Sequence, residues 1–323
     1  METMPDRRTL ESAVALAGRA PSLHNSQPWR WILDADGLTL FSDNDRILPA
    51  TDPSGRQMLL SCGAVLHHLR TALIARYWAT VVERMPDATN RRCLATLRFR
   101  RVDAVTDTDL RMAEAIGRRR TERLPMGAPQ EWARTESALQ MFVEPAGVRL
   151  SAIAEHERPA LEELSRRIVG ERRSDLAYQT ELSWWAGHAM YPDGIPPDAL
   201  PPGRRTVATE REFPPGNATG ESAETEDRAA ILLLSTTTDT RLDWLRSGEA
   251  LSAVLLACTA RGLATCSVTH LTESESSRAF LRETARIEGV PQVMIRVGVC
   301  TGPGPDAATP RRPTSAILFR KQS

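Results

Sequence analysis

The chain has 323 residues, 41% hydrophobic and 25% charged, a composition typical of one large globular domain or two smaller ones. Its 41 basic residues balance 41 acidic ones, and this zero net charge argues against nucleic acid or an anionic membrane as a general partner. No apolar run approaches the roughly 20 residues that span a bilayer. The N-terminus is a poor signal peptide, and the five scattered cysteines show no metal-ligand spacing. We therefore expect a cytoplasmic protein with reduced thiols and no metal site.

The first half of the chain alternates helix and strand signals. An Asp36-Gly37 turn between alternating apolar residues indicates a hairpin, and an Asp-Pro-Ser cap before leucines at helical spacing indicates a long buried helix. The predicted elements are a helix over 9–19, the hairpin over 29–41, the long helix over 52–78 and a strand over 93–102. His67 and His68 point about 100° apart on that helix, which predicts one in the core and one at the surface.

The second half repeats this alternation around a long irregular segment. The predicted elements are a helix near 107–117, strands over 148–154, 229–235 and 293–299, a charged helix over about 157–187 and an apolar helix over 246–266. Residues 190–222 are rich in Pro and Gly and cannot hold regular structure for long. Such a loop is either a lid over a site or a floppy insertion.

The two long apolar helices resemble each other in sequence. Residues 62–80 align without a gap on residues 247–265, which places Gly63 on Gly248 and Arg76 on Arg261. This match favours an internal duplication of an α+β unit, packed about a pseudo-two-fold axis, although two apolar helices can also match by chance.

Three polar runs are candidates for ligand binding. They are Pro-Ser-Leu-His-Asn-Ser-Gln-Pro-Trp at 21–29, Arg-Arg-Arg-Thr-Glu-Arg at 118–123 and Pro-Arg-Arg-Pro at 310–313. Clustered guanidiniums with a hydroxyl suit a phosphate, which needs several charge-assisted donors. Each run also has an interpretation without a ligand: a capped loop for 21–29, a solvated basic turn for 118–123 and a basic tail for 310–313. The sequence has no nucleophile elbow, Walker loop, zinc-protease motif or strand-linked G-x-G-x-x-G.

Together the three runs resemble motifs of the flavin-dependent nitroreductase family, most closely its actinobacterial Acg-type branch. Family members carry R-R-S-x-R, which binds FMN phosphate, then P-S-x-x-N-x-Q-P-W, which reaches the partner subunit's flavin ring, and later an arginine in a C-terminal strand. Here residues 119–123 match the first with Thr in place of Ser, residues 21–29 match every fixed position of the second, and residues 311–313 resemble the third.

The order of the motifs differs from that of ordinary family members, which have the arginine motif first. Each half of this chain retains one side of a flavin site: residues 1–105 carry PSxxNxQPW, and residues 106–323 carry RRTxR and RRP. The resemblance therefore implies an α+β nitroreductase-like fold of two fused halves, with central antiparallel sheets flanked by helices. This intramolecular pseudo-dimer would bind one FMN between its halves, as a monomer or a weak homodimer.

The resemblance implies a cofactor site and no particular catalytic residue. Pro21 and Pro28 would shape the polar loop, His24 would contact flavin or substrate, and the loop after the second long helix would pass near flavin N5. The candidate cofactor-binding residues are Pro21, Ser22, His24, Asn25, Gln27, Arg119, Arg120, Thr121, Arg123, Ser267, Val268, Thr269, Arg311 and Arg312. Which arginines of 118–123 contact phosphate stays open, because the motif can slide by one residue.

Two functions follow from this resemblance. The first is hydride transfer from NAD(P)H through FMN to a nitroaromatic or quinone acceptor. The second is a flavin-binding protein with little turnover, which stores FMN or senses redox state under a closed lid. A third reading, a helical scaffold that binds a phosphoprotein without flavin, remains.

Overall fold

The computed structural model describes residues 4–187, 192–203, 207–218, 226–302 and 308–321. Its α-helices are α1 Arg7–Ala17, α2 Arg56–Ile74, α3 Asp107–Arg118, α4 Trp132–Val143, α5 Arg158–Arg173, α6 Leu176–Trp185, α7 Arg241–Ala260 and α8 Glu275–Thr284. Its strands are β1 Trp29–Leu33, β2 Leu38–Ser42, β3 Trp78–Arg84, β4 Cys93–Arg101, β5 Met126–Gly127, β6 Arg149–Ala152, β7 Ala230–Thr236, β8 Ala264–Val268, β9 Val290–Cys300 and β10 Leu318–Arg320.

The strands form two sheets, which divide between the two halves of the chain except that β10 from the second half joins the first sheet. The first has the order β10-β1-β2-β4-β3, and the second has the order β5-β9-β7-β6 with β8 also paired to β9. All named pairs are antiparallel except β1 with β10. Helix α2 packs on the first sheet, α7 packs on the second, and the two helices pack on each other. The predicted α+β class, with antiparallel sheets flanked by helices, is confirmed.

The contact between α2 and α7 is reciprocal. A Cβ atom on Gly63 would lie 2.0 Å from the carbonyl oxygen of Leu245, and one on Gly248 would lie 2.0 Å from that of Leu60. Leu60 and Leu245 are separated by the same number of positions as Gly63 and Gly248, so each helix touches the other through equivalent residues. A two-fold axis between the helices would produce this arrangement.

Both helices also end in the same way. Arg76 donates to the carbonyl of Ala72 at 2.7 Å, and its aligned partner Arg261 donates to that of Ala257 at 2.9 Å. The next residues, Tyr77 with φ 64° and Gly262 with φ 78°, both have left-handed backbone, and a strand follows in each copy. These matched features support the duplication, which remains a proposal.

The structure corrects several predicted boundaries. The first long helix ends at Ile74, because left-handed Tyr77 turns the chain into β3, and the second ends at Ala260 before β8. The charged helix over 157–187 is two helices, since Asp175 caps a new one by accepting from Tyr178 N–H at 3.0 Å. Helices α4 and α8 and strands β3, β5, β8 and β10 are not among the predicted elements.

The last described segment returns to the first half. Strand β10 pairs with residues 31–33 of β1, so residues 308–317 run across the first half before joining its sheet. The division at residue 105 separates the two sheets except for this strand. The C-terminal arginines are therefore brought to the polar run at 21–29.

Both histidines of α2 contact α7, which differs from the prediction of one core and one surface residue. Nδ1 of each ring lies 2.7 Å from the Ser252 hydroxyl, which can donate to one ring while accepting from the other. His68 is fully buried and His67 is partly buried. Burial and the neighbouring Arg70 lower the pKa of His67 to about 4, and burial lowers the pKa of His68 well below 6.5.

We expect His68→Gln to make the protein's stability less sensitive to acid. A histidine that is neutral when folded binds a proton on unfolding once the pH is below its unfolded pKa of 6.5. The stability from neutral His68 is therefore present above pH 6.5 and is lost as the pH falls below it. Urea unfolding between about pH 7.5 and 5 should show a shallower decline for the variant, by up to about 1.4 kcal/mol per pH unit. Parallel declines in the two proteins would contradict this role of His68.

Candidate functional site

Two adjoining cavities lie where the polar run of the first half meets the arginine segment of the second. They share five lining residues, namely Pro21, Ser22, Thr121, Arg123 and Ile195. We call the first the arginine cavity, because five arginines also line it: Arg19, Arg118, Arg119, Arg120 and Arg311. We call the second the apolar cavity, because its other lining residues include Leu60, Leu251, Val268 and Phe213. Together they form a continuous site with a basic end and a largely apolar end.

The polar run has an unusual backbone. His24, Asn25 and Gln27 have φ values of 49°, 57° and 50°, in the left-handed region that residues other than glycine rarely occupy. The Ser22 hydroxyl holds the loop closed by accepting from Gln27 N–H at 2.9 Å. Strain of this kind is found where the surrounding structure fixes it, often at functional sites.

Two amides of this run tie other segments to the site. The Asn25 amide donates to the carbonyls of Gly194 at 2.8 Å and Pro310 at 3.1 Å. The Gln27 amide donates to the Pro192 carbonyl at 2.9 Å. Asn25 still lines the arginine cavity, whereas Gln27 lines neither cavity. The Gln27 side chain is therefore used to hold the polypeptide, and its expected contact with the cofactor stays a prediction.

Arg312 also binds other parts of the protein. Its guanidinium donates to the carbonyls of Gln27 and Ala316, each at 2.9 Å, and lies 3.4 Å from Asp43. Its own N–H donates to the Gln27 side chain at 2.8 Å. Arg312 thus fastens the C-terminal segment to the polar run, and only the preceding Arg311 reaches the arginine cavity.

Three arginines converge on the arginine cavity without a carboxylate partner in the described part of the chain. Arg19, Arg119 and Arg311 each have a buried Nε with no hydrogen-bond acceptor there. Burial and the neighbouring guanidiniums lower the pKa of Arg119 to about 10 and that of Arg311 to about 9. Like charges this close and this desolvated are costly unless an anion joins them. Arg120, also expected here, lines the rim and is exposed.

The apolar cavity holds buried polar groups that lack partners. Both ring nitrogens of His24 and the Nε2 of Gln57 have no hydrogen-bond partner among the described residues. Burial, followed by Arg211 and Arg123, holds the pKa of His24 well below 6.5, so the ring is neutral at physiological pH. The loop residues Ser267, Val268 and Thr269 line the same cavity, as expected.

The described parts of the insertion, 192–203 and 207–218, lie against the site. Ile195, Arg211 and Phe213 line the apolar cavity, and Phe213 meets the His24 ring edge-on with centroids 6.0 Å apart. Positions 190, 191, 204–206 and 219–222 of the predicted lid are outside the described residues.

Ion pairs hold this insertion in place. Arg211 binds Tyr178 and Glu273, Glu210 binds the fully buried Arg296, and Asp193 binds Arg46. Removing one partner of a buried ion pair strongly destabilises a protein, because it leaves the other charge without compensation. The insertion is therefore attached to both halves of the chain.

Several lining residues were not predicted. Arg19 lies two residues before the matched motif, and Gln57 lies in the first turn of the long helix next to its cap signal, so their positions in sequence offered a weak signal. Arg211 and Phe213 come from the Pro/Gly-rich insertion, and no local sequence pattern there predicts that they line a cavity.

Comparisons with known proteins define the class. The model of the nitroreductase family matches residues 149–299. A Mycobacterium tuberculosis H37Rv protein named "Putative NAD(P)H nitroreductase acg" is 42% identical over 321 residues, covering 98% of this chain and 97% of that protein. The chain belongs to the nitroreductase family, in the branch that this relative represents.

Two further similarities are of different strength. "Uncharacterized protein Rv3127" of the same strain is 42% identical over 322 residues, 97% of this chain and 94% of that one. The FMN-dependent nitroreductase NfnB of Mycobacterium smegmatis, solved with NADPH, is 16% identical with a TM-score of 0.41, over 67% of this chain and all 100% of that one. That structural overlap is too low to support an argument.

The described residues include neither a membrane-spanning helix nor a cluster of metal ligands. No helix there is long and apolar enough to cross a membrane. Within the same residues, no group of three or more His, Cys, Asp or Glu side chains could hold a metal ion. All five cysteines are unpaired, and Cys300 is the least buried of them.

Proposed function

We propose that the chain binds one FMN across its two halves, with the phosphate in the arginine cavity and the ring in the apolar cavity. The observation that carries this proposal is the cluster of Arg19, Arg119 and Arg311, which line one cavity and have a buried Nε and no carboxylate partner among the described residues. A phosphate monoester supplies nearly two negative charges and several acceptor oxygens, which suits such a cluster. Family membership points to the same cofactor.

The adjoining cavity suits the flavin ring. It has apolar walls for the ring faces and polar groups without partners for the ring's edge. Thr121 and Arg123 lie where the cavities join, in position to contact the sugar chain or the phosphate. Ser22 and His24 from one half and residues 267–269 from the other would then border the ring. Each half thus supplies what the other lacks, so a monomer can hold a complete site.

The proposed reaction is hydride transfer from NAD(P)H to a nitroaromatic or quinone acceptor, and the bound FMN supplies this redox chemistry. The chain's own residues bind the cofactor, orient its ring and exclude water. No side chain is assigned as a general acid or base. The relative named as an NAD(P)H nitroreductase supports the donor, and cytoplasmic location stays a prediction.

The insertion supports a second candidate function, FMN storage or redox sensing with little turnover. Ile195 and Phe213 lie in the cavity that a hydride donor would have to enter. The ties through Arg46, Glu210 and Arg211 oppose opening. A reductase needs this segment to move, whereas a storage protein does not.

The visible spectrum of the purified protein, recorded before and after anaerobic NADPH, tests both functions. We expect a bound-flavin spectrum. Prompt bleaching would establish a reductase, and bleaching by dithionite but not by NADPH would favour storage or sensing. Protein that is colourless and takes up no added FMN would refute the proposed cofactor.

We expect Arg46→Ala to speed bleaching by NADPH at least severalfold, because it removes the ion pair with Asp193 that holds the insertion. Stopped-flow absorbance under nitrogen measures this rate. Arg7→Ala, which breaks an exposed pair with Glu11 far from the insertion's contacts, is the matched control and should leave the rate unchanged. Equal rates for the three proteins would show that this ion pair does not limit access.

A further inference from the structure

The buried amide of Gln57 has no role in the fold that the described contacts reveal. Gln57 lies in the first turn of α2 and is only 3% exposed. Its backbone N–H is satisfied by the Asp52 carboxylate at 3.1 Å, whereas its side-chain Nε2 has no partner among the described residues. An unsatisfied buried donor costs about 1–3 kcal/mol, so its retention in this cavity points to a ligand.

A hydrogen-bond chain fixes Gln57 relative to His24. The Ser61 hydroxyl donates to the Gln57 carbonyl at 2.8 Å and accepts from Leu23 N–H at 3.2 Å. The residue before His24 is thereby joined to the helical turn that carries Gln57. Both side chains line the apolar cavity, and this chain fixes the backbone that carries each of them.

The chemistry of this pair defines what it can recognise. The Gln57 amide offers N–H donors, and a neutral imidazole offers one donor and one acceptor. A planar edge with carbonyl, N–H and carbonyl in sequence accepts two hydrogen bonds and donates one. An apolar cavity that satisfies such an edge would discriminate strongly against a ligand that cannot match it.

We propose that Gln57 and His24 bind the imide edge of the flavin, its C2 carbonyl, N3–H and C4 carbonyl. This inference rests on the proposed FMN site and assigns a residue from the start of α2 to it. Gln57 is a binding residue here, and no proton or hydride moves through it.

The test compares FMN with N3-methyl-FMN, which lacks the N3–H and carries a bulky methyl group on that edge. We expect the wild-type protein to bind the methylated flavin at least tenfold more weakly, by fluorescence titration. Gln57→Leu should bind FMN roughly tenfold more weakly and should discriminate less between the two flavins. The flavin-free variant should be no less stable to urea than the wild type, because leucine removes a buried donor without a partner.

A control variant and a second binding variant separate an effect on binding from an effect on structure. Gln140→Leu removes an amide that donates to the Leu150 carbonyl at 3.3 Å, outside both cavities, and should leave flavin affinity unchanged. His24→Asn keeps a residue that tolerates positive φ and should weaken FMN binding like Gln57→Leu. Equal wild-type affinity for both flavins, unchanged discrimination in Gln57→Leu, or a loss of flavin-free stability in that variant would overturn the inference. A wild-type protein that binds neither flavin would instead refute the proposed FMN site.

Discussion

Alanine at Gly63 is expected to lower the free energy of unfolding by about 3 kcal/mol, because its methyl group has no room. The added carbon would lie 2.0 Å from the Leu245 carbonyl oxygen and 2.9 Å from the Gly248 Cα. Both contacts are with backbone, so no side chain can rotate away and α2 and α7 must separate. Urea unfolding followed by circular dichroism measures the loss.

The reciprocal contact supplies a second comparison. Gly248→Ala should cost about as much as Gly63→Ala, since its methyl would lie 2.0 Å from the Leu60 carbonyl oxygen. The double variant should cost less than the sum, because helices already forced apart accommodate the second methyl. Gly170→Ala, in α5 with no atom within 4 Å of the added carbon, is the control. It should stabilise the protein by about 0.5–1 kcal/mol. A harmless Gly63→Ala would contradict the close helix contact.

Arg119→Ala is expected to raise the dissociation constant for FMN about 10- to 100-fold. Arg119 is 7% exposed and faces the cavity with Arg19 and Arg311, so a phosphate there gains a desolvated, charge-assisted bond. Removing it should not weaken the flavin-free protein, because Arg19 and Arg311 are then no longer repelled by a third buried guanidinium. Fluorescence titration of FMN and urea unfolding without FMN measure the two effects.

Arg120→Ala is the matched control for Arg119. It removes an exposed guanidinium one residue along the same segment and should change FMN affinity by no more than about threefold. A larger effect at Arg120 than at Arg119 would mean that the phosphate binds at the rim. The arginine motif would then have the register that places Arg120, and not Arg119, on the phosphate.

The sequence located the site better than it described the site's chemistry. Pro21, Ser22, His24, Thr121 and Arg311 were predicted and do line the cavities, because each belongs to a compact run whose residue types suit a cofactor. Gln27 and Arg312 belong to the same runs but bind other protein segments, which local sequence cannot distinguish.

The unpredicted parts depend on contacts between distant residues. Arg211 enters the site because Glu273 and Tyr178 hold it there, and no local pattern links these positions. The predicted helices over 52–78 and 246–266 extend into the first residue of β3 and the first three residues of β8, because apolar residues continue the helical spacing past a turn. Left-handed Tyr77 and Gly262 end that continuity. The reciprocal helix contact, by contrast, follows from the aligned glycines that sequence alone had paired.

The parallel pairing of β10 with β1 affects the order in which the site can form during synthesis. Residues 318–320 complete the sheet that begins at residue 29, and Arg311 reaches the arginine cavity on the segment that leads to them. These residues are synthesised after both long helices. The arginine cavity is therefore incomplete until they have been made, and a chain truncated near residue 300 should bind flavin poorly even if both halves fold.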